Sequence, residues 1–181
     1  RSSDLLLYQW GRKDPFLGSS SISSSTLAKS TGIWPSAVAS SSATGTVDYA
    51  ILNPTTFVTS SSSSEYDWHY ASRDNTLWTT SDKTKSIYDP CPAGWRVPDG
   101  DINGVWSKAG FDGKTYDSTN EGMSFSISSY STTWYPASGY RYDYDGSLDF
   151  VGYYGSYWSA SPVGIYAYRL YFSDVDYGYV D

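Results

Sequence analysis

WYPASGYRYDYDGSLDFVGYYGSYWSASPVGIYAYRLYFSDVDYGYVD, residues 134–181, holds 12 of the chain's 19 tyrosines, interleaved with Asp, Ser and Gly. Within it, Ile165 to Ser173 (IYAYRLYFS) is the plainest strand of the sequence. Strand side chains alternate between faces. Tyr168, Leu170 and Phe172 therefore make one apolar face, which belongs on a core, and Arg169, Tyr171 and Ser173 make the other, which is free to touch a ligand. Turn signals stand at Asp145-Gly146, Gly152, Gly155 and Pro162-Val163-Gly164. Tyr140, Tyr157 and Tyr168 are expected to help build the core. Tyrosine brings large amphipathic contact area with few rotatable bonds, and Ser, Asp and Gly bring adaptable hydrogen bonding, so the composition is that of a binding surface. Lys, Glu, Gln and Met occur ten times in residues 1–123 and never in 124–181. Lys and Glu are among the commonest residues of ordinary proteins, which makes the change of composition a feature of the stretch.

Upstream of this stretch, Met123 to Ile127 alternates as a strand, and Phe111 to Asn120 reads as polar loop. Asp99 to Gly110 is the best helix candidate: Asp99 or Asp101 caps it, Val105, Trp106 and Ala109 give an apolar face, and Gly110 ends it. Ser86 to Pro98 carries three prolines and is extended, with Trp95 and Val97 expected to be buried. Glu65 to Trp78 reads as a loop pinned by Trp68 and Trp78, Val47 to Leu52 as a strand, and Asp4 to Trp10 as a buried strand. The Ser-rich runs Ser19–Ser25, Ser40–Thr44 and Ser60–Ser64 read as surface loops, with room for one helical turn at Thr26 to Lys29.

The chain of 181 residues is long enough for one domain with a substantial core, and its abrupt ends read as those of a piece of a longer protein. A net charge of −7 argues against nucleic acid, which demands a basic patch. Six acidic residues against two arginines in 134–181 likewise argue against a strongly anionic ligand. No apolar run reaches membrane-spanning length, so direct membrane insertion is not expected. Cys91 has no second cysteine to pair with, and His69 has no second His or Cys cluster, so no transition-metal set, cofactor or catalytic residue is expected. Asp99-Gly-Asp101-Ile-Asn103-Gly104 opens like a calcium loop, but Gly110 stands where a bidentate Glu is required, and helix capping is the better reading. Asp143 and Asp145 beside Gly146 make a polar turn.

DPCPAGWRVP (Asp89 to Pro98), then GYR (Gly139 to Arg141) and YWSAS (Tyr157 to Ser161), in that order, resemble a paralogous family of C-type-lectin-like surface domains from gut Bacteroidetes and their phages. DLLLYQWGRKDPF (Asp4 to Phe16) and the Asp67 to Trp78 segment are similar to the same family. The resemblance implies an α+β, C-type-lectin-like fold spanning residues 1–181, with one helix packed on a mixed sheet. It also implies diversification of residues 134–181 by a retroelement that randomises template adenines, a process whose codons exclude Lys, Glu, Gln and Met. The varied, ligand-binding positions it implies are Tyr142, Tyr144, Asp149, Phe150, Tyr153, Tyr154, Ser156, Val163, Ile165, Tyr166, Arg169, Tyr171, Ser173, Asp174, Asp176, Tyr177 and Tyr179. The implied function is that of an extracellular receptor-binding or adhesin domain on a bacterial surface, a fimbrial tip or a phage tail fibre. Its partner would be a protein or glycan on another cell, with homo-oligomerisation such as a trimer, or a larger fibre or pilus assembly, also implied.

Two readings of other classes remain open: a structural subunit whose Tyr face is buried in an assembly, and an enzyme of the formylglycine-generating type, which needs two active-site cysteines where this chain has one. The chain departs from the family in lacking a closing RxxGFSVR-type strand, which often carries a partner for the cysteine at Cys91.

Overall fold

The computed structural model describes residues 6–19, 36–60, 66–70, 74–101, 104–109, 114–128, 131–175 and 179–180. Among the described residues it is a mixed α+β arrangement, mostly strands, with two short helices. The strands form several small sheets of two or three strands where the sequence suggested one mixed sheet. No helix among the described residues is long and apolar enough to cross a membrane.

The first half is a set of short pieces tied together by side chains. β1 (Leu6–Leu7) pairs antiparallel with β2 (Phe16–Leu17), so the strand expected over Asp4 to Trp10 shrinks to two residues, with Leu6 exposed. β3 (Val38–Ala39) and β4 (Val58–Thr59) pair in parallel, and α1 (Val47–Leu52) crosses between them. Val47 to Leu52 is thus a helix, where the sequence reads as a strand. Capping and tertiary contact override the β-preference of Val, Tyr and Ile. Thr46 Oγ1 accepts the Tyr49 N–H at 3.1 Å, and both the backbone N–H and Nδ2 of Asn53 donate to the Tyr49 carbonyl at 2.9 Å. Beyond that end, Arg12, only 3% exposed, donates to the carbonyls of Asn53 and Thr56 at 3.3 and 2.7 Å and lies over the rings of Phe16 and Trp68. Burial pulls its pKa down to about 10, which leaves the guanidinium charged at neutral pH.

The Asp89–Pro98 segment is organised by its first residue. Asp89, 1% exposed, accepts from Lys85 Nζ at 2.6 Å and from the backbone N–H groups of Cys91 (2.8 Å) and Val97 (2.9 Å). Val97 is buried as expected, but Trp95 is 73% exposed. The Trp95 N–H closes a turn onto the Pro92 carbonyl with Gly94 at φ +84°, so alternation does not run through this segment. Trp68 and Trp78 are buried anchors, as the sequence indicated.

α2 (Val105–Ala109) begins later than expected. Arg96 holds both carboxylate oxygens of Asp99, at 2.9 and 2.7 Å, and Asp101 pairs with Lys83 at 3.1 Å. Of the expected apolar face, Trp106 is buried and Val105 exposed. β5 (Thr115–Asp117), β6 (Gly122–Ser128) and β7 (Ser131–Pro136) form an antiparallel meander, so part of the presumed Phe111 to Asn120 loop is strand. β8 (Tyr140–Arg141) pairs with β9 (Leu148–Asp149), and β10 (Tyr154–Val163), β11 (Tyr166–Ser173) and β12 (Tyr179–Val180) make the last sheet. Gly155 lies within β10 where the sequence suggested a turn: a Cβ there would stand 2.1 Å from the Phe172 ring, so the glycine admits that ring. The expected helical turn at Thr26 to Lys29 and most of the Ser-rich runs lie outside the described residues.

The main core joins α2, β6 and β11 through Trp106, Met123, Phe125, Ala137, Leu170 and Phe172. One face of β11 is therefore committed to packing, which leaves the opposite face to be accounted for.

Candidate functional site

The register of the last hairpin sorts its residues. Tyr154 stands opposite Ser173, Ser156 opposite Tyr171, and Trp158 opposite Arg169, so these six share one face. Gly155 and Tyr157 face the core with Phe172 and Leu170. This is the alternation expected of Ile165 to Ser173, and it turns Arg169 and Tyr171 away from the core. Ser173 is the exception, at 2% exposure. A side chain so short, paired across the ladder with Tyr154, does not rise past its neighbours, and Ser173 is withdrawn from the solvent-facing set. Tyr168 is only half-buried, beside the irregularity between Trp158 and Pro162.

β8, β9 and their turn bring further rings to the edge of this face. Gly146, at φ +72°, and Asp145, which accepts from the Ser147 N–H at 2.8 Å and its hydroxyl at 2.7 Å, shape the turn. Arg141 fastens it to the N-terminal hairpin by donating to the Leu17 carbonyl at 2.6 Å and to the Gly146 carbonyl, and desolvation pulls its pKa down to about 10. Asp143 accepts from the Ser60 hydroxyl at 2.5 Å and its carbonyl accepts the Ser60 N–H at 2.8 Å.

From this turn to β11 runs a continuous strip of rings. Tyr144 lies 4.9 Å from Tyr142, and Tyr142 lies 5.3 Å from Tyr140. Tyr140 stacks on Phe150 at 5.4 Å; Phe150 meets Tyr154 edge-on at 4.7 Å; Tyr154 stacks on Tyr171 at 5.4 Å. The Arg169 guanidinium closes the series 5.2 Å over Tyr171. These are ordinary offset and edge-to-face separations, each worth about 0.5–1.5 kcal/mol beyond area burial. Phe150 reaches its place at φ +55°, a left-handed conformation that costs a non-glycine residue about 1–3 kcal/mol. Asp149 Oδ1 accepts the Phe150 N–H at 2.7 Å, and the Phe150 carbonyl accepts from Tyr153 and Tyr154, both at 3.0 Å.

The strip gathers Tyr142, Tyr144, Phe150, Tyr154, Arg169 and Tyr171 from separate parts of the sequence, with Asp149 beside Phe150 and Ser156 opposite Tyr171. Tyr140, expected only in the core, is its hub, touching Tyr142, Phe150 and Tyr154. The i, i+2 spacing of Tyr140, Tyr142 and Tyr144 was the available signal for it. Burial, a bond to Tyr142 and neighbouring negative charge raise the Tyr140 phenol above its ordinary range.

Val163, Ile165 and Tyr166 are exposed at the hairpin tip, away from the ring series. They border a groove of about 1460 Å³ whose other walls include Trp10, Tyr66 and Trp68, with Tyr142, Ser156 and Arg169 shared between groove and strip. Tyr153 is half-buried, and its carbonyl accepts the N–H of exposed Asp174 at 3.1 Å. Tyr179 contributes backbone pairing with Tyr171; Asp176 and Tyr177 lie outside the described residues.

The strip is a surface of ring faces with an arginine at one end and carboxylates at the other. His69 packs edge-on to Trp68 at 5.5 Å, and burial, then the charge of Asp89, pushes the Cys91 thiol up, away from a reactive thiolate. Comparison of the chain with protein-family models, with curated proteins and with solved structures found no match.

Proposed function

We propose that this chain is an extracellular ligand-binding domain of the receptor-binding or adhesin type, on a C-type-lectin-like frame, with the Tyr144–Tyr171 ring strip as its contact surface. Six positions assigned to ligand contact from sequence fall into one ring series although they span residues 142–171, and this convergence carries the reading. Tyr144 is exposed and the other rings of the strip are half-buried, and apolar surface left open to water commonly marks an interaction site. The ligand class is a protein or glycan on another cell surface, and affinity comes from a few rings near the patch centre. Diversification of residues 134–181 by a retroelement fits a rigid frame that tolerates change on one face. It calls for a near-repeat of this coding stretch, differing at adenines, beside a reverse-transcriptase gene.

The direct test compares binding of the wild-type domain and the Tyr142→Ala/Tyr144→Ala/Tyr171→Ala variant to glycan arrays and to candidate host cells. Loss of binding with an unchanged circular dichroism spectrum supports the reading; retained binding refutes it. The exposed tip at Val163, Ile165 and Tyr166 favours a second reading, in which this face is buried between subunits of a fibre or pilus. Sedimentation equilibrium separates the two: a trimer or larger assembly that Ile165→Asp/Tyr166→Asp dissolves supports the structural subunit.

A further inference from the structure

The strip is not uniform along its length. At the Tyr171 end it already seats a cation of the chain itself, since the Arg169 guanidinium lies 5.2 Å over that ring. At the other end stand Tyr142 and Tyr144, with Tyr144 60% exposed, on a turn that carries Asp143 and Asp145 and runs into β9 at Asp149. The bonds that hold these carboxylates inward each use one oxygen: Asp143 Oδ2 to Ser60, Asp145 Oδ1 to Ser147, Asp149 Oδ1 to the Phe150 N–H. The nearest basic side chain in sequence, Arg141, is turned to the carbonyls of Leu17 and Gly146. The Tyr144 phenol is held above its ordinary value by desolvation first and then by the charges of Asp145, Tyr142, Asp143 and Asp149, as a ring in a negative field must be.

Resting on the ligand-face reading, we propose that the Tyr144 end of the strip receives a basic side chain of a protein partner, a lysine or arginine lying over the Tyr142 and Tyr144 rings within reach of the Asp143, Asp145 and Asp149 carboxylates. A ring face attracts a cation through its quadrupole, and the attraction grows as partner and ring shed water together. Neutral sugars stack on rings as well, but they make no use of three carboxylates, whereas a basic partner meets both features at once. The net charge of −7 steers such a partner in at low salt. Arg169 then acts at the far end as a repulsive guide, so the partner's cation is seated at one end only and its orientation on the strip is fixed.

The test uses the whole domain with ¹³C-labelled tyrosine rings, titrated separately with an Arg-Gly repeat peptide, a Glu-Gly repeat peptide of the same length and a neutral gluco-oligosaccharide. The Arg-Gly peptide is expected to move the Tyr142 and Tyr144 ring signals, and its affinity to fall when salt shortens the screening length. Tyr144→Phe keeps the ring and is expected to keep binding. Tyr144→Ala is expected to lower affinity about threefold to thirtyfold, the range of a cation–π contact. Asp145→Asn/Asp149→Asn keeps the turn's acceptor oxygens, so a fall in affinity there with unchanged circular dichroism assigns the effect to charge. Peptide binding that ignores Tyr144→Ala, or moves only signals outside the strip, overturns the inference. If the neutral oligosaccharide moves the Tyr142 and Tyr144 signals and the Arg-Gly peptide does not, the basic partner is wrong while the ligand face stands. If none of the probes moves them and sedimentation shows an assembly that covers Tyr144, both readings fall.

Discussion

The molecule holds two aromatic regions and uses them oppositely. Around the N-terminal segment four tryptophans act as stitches: the indole N–H of Trp10 donates to the Ser159 carbonyl (2.8 Å), that of Trp68 to Trp10 (2.7 Å), that of Trp78 to Arg12 (3.0 Å) and that of Trp158 to Tyr8 (3.1 Å). Each ring joins pieces far apart in sequence where short strands supply few ladder bonds. In the strip from Tyr144 to Tyr171 the rings touch mainly one another, and Tyr144 stands in water. Indole has one donor, which a backbone carbonyl satisfies in the interior; phenol both donates and accepts and is at home at a wet surface. Aromatic richness alone therefore does not separate glue from display; the polar atom on the ring and its partner do.

Truncation in the two regions should accordingly have unequal cost. Trp78→Ala is expected to lose about 3–5 kcal/mol, the range for large aromatic deletions in a core, and Tyr144→Ala, on the exposed ring at the end of the strip, about 1 kcal/mol or less. Urea denaturation measures both. Equal losses would erase the distinction between stitched and displayed rings.

Asp89 holds the Trp78 region from the side. Asp89→Ala removes the acceptor for the Cys91 and Val97 N–H groups and the partner of Lys85. About 2–4 kcal/mol should be lost, since each orphaned buried donor costs about 1–3 kcal/mol while Lys85, partly exposed, regains water. Asp89→Asn restores one acceptor and should recover part of the loss. Smaller again, Thr46→Ala should cost about 1 kcal/mol, the usual value of an N-cap, by fraying α1 beneath Trp68. A neutral result would mean that Asn53 and Arg12 at the other end suffice to hold that helix.

These residues also mark what was legible in the sequence. The alternation of Ile165 to Ser173, the Met123 to Ile127 strand, the anchors Trp68 and Trp78 and the Asp145-Gly146 turn depend on local pattern, and they appear as expected. α1 was hidden because VDYAIL carries strand-like residues while its caps and the Arg12 contact lie outside the pattern. Trp95 was misplaced because the Asp89 bonds that turn the segment are made by a polar residue with no period. Ser173 was misplaced because strand parity gives direction but not height. Tyr140 joined the strip through Phe150, and the left-handed turn that carries Phe150 has no glycine at that position to announce it.

The smallest effect at neutral pH, and the sharpest contrast between the regions, is alkaline titration. Burial first, then the charges of Glu121, Asp174, Tyr153 and Asp117, raise the Tyr116 phenol from 10.0 to about 12, and its hydroxyl donates to the Gly152 carbonyl at 2.6 Å, under the turn that carries Phe150. Tyr140 and Tyr157 are raised as well, by burial first. A phenol whose folded pKa lies above its unfolded value favours the folded state while it is neutral. That contribution is complete below about pH 10 and is lost as pH climbs through about 12 for Tyr116. Indole does not titrate in this range, so the tryptophan stitches add no such dependence of their own, and among them only the phenol of Tyr8, also raised by burial, does. Ultraviolet titration should show exposed tyrosines ionising first and a later group ionising together with loss of near-ultraviolet circular dichroism. Tyr116→Phe should diminish the later step and leave the earlier one. If all tyrosines ionise together near their ordinary value with the dichroism intact, the ring strip does not rest on buried neutral phenols, and the rigidity assigned to it is lost.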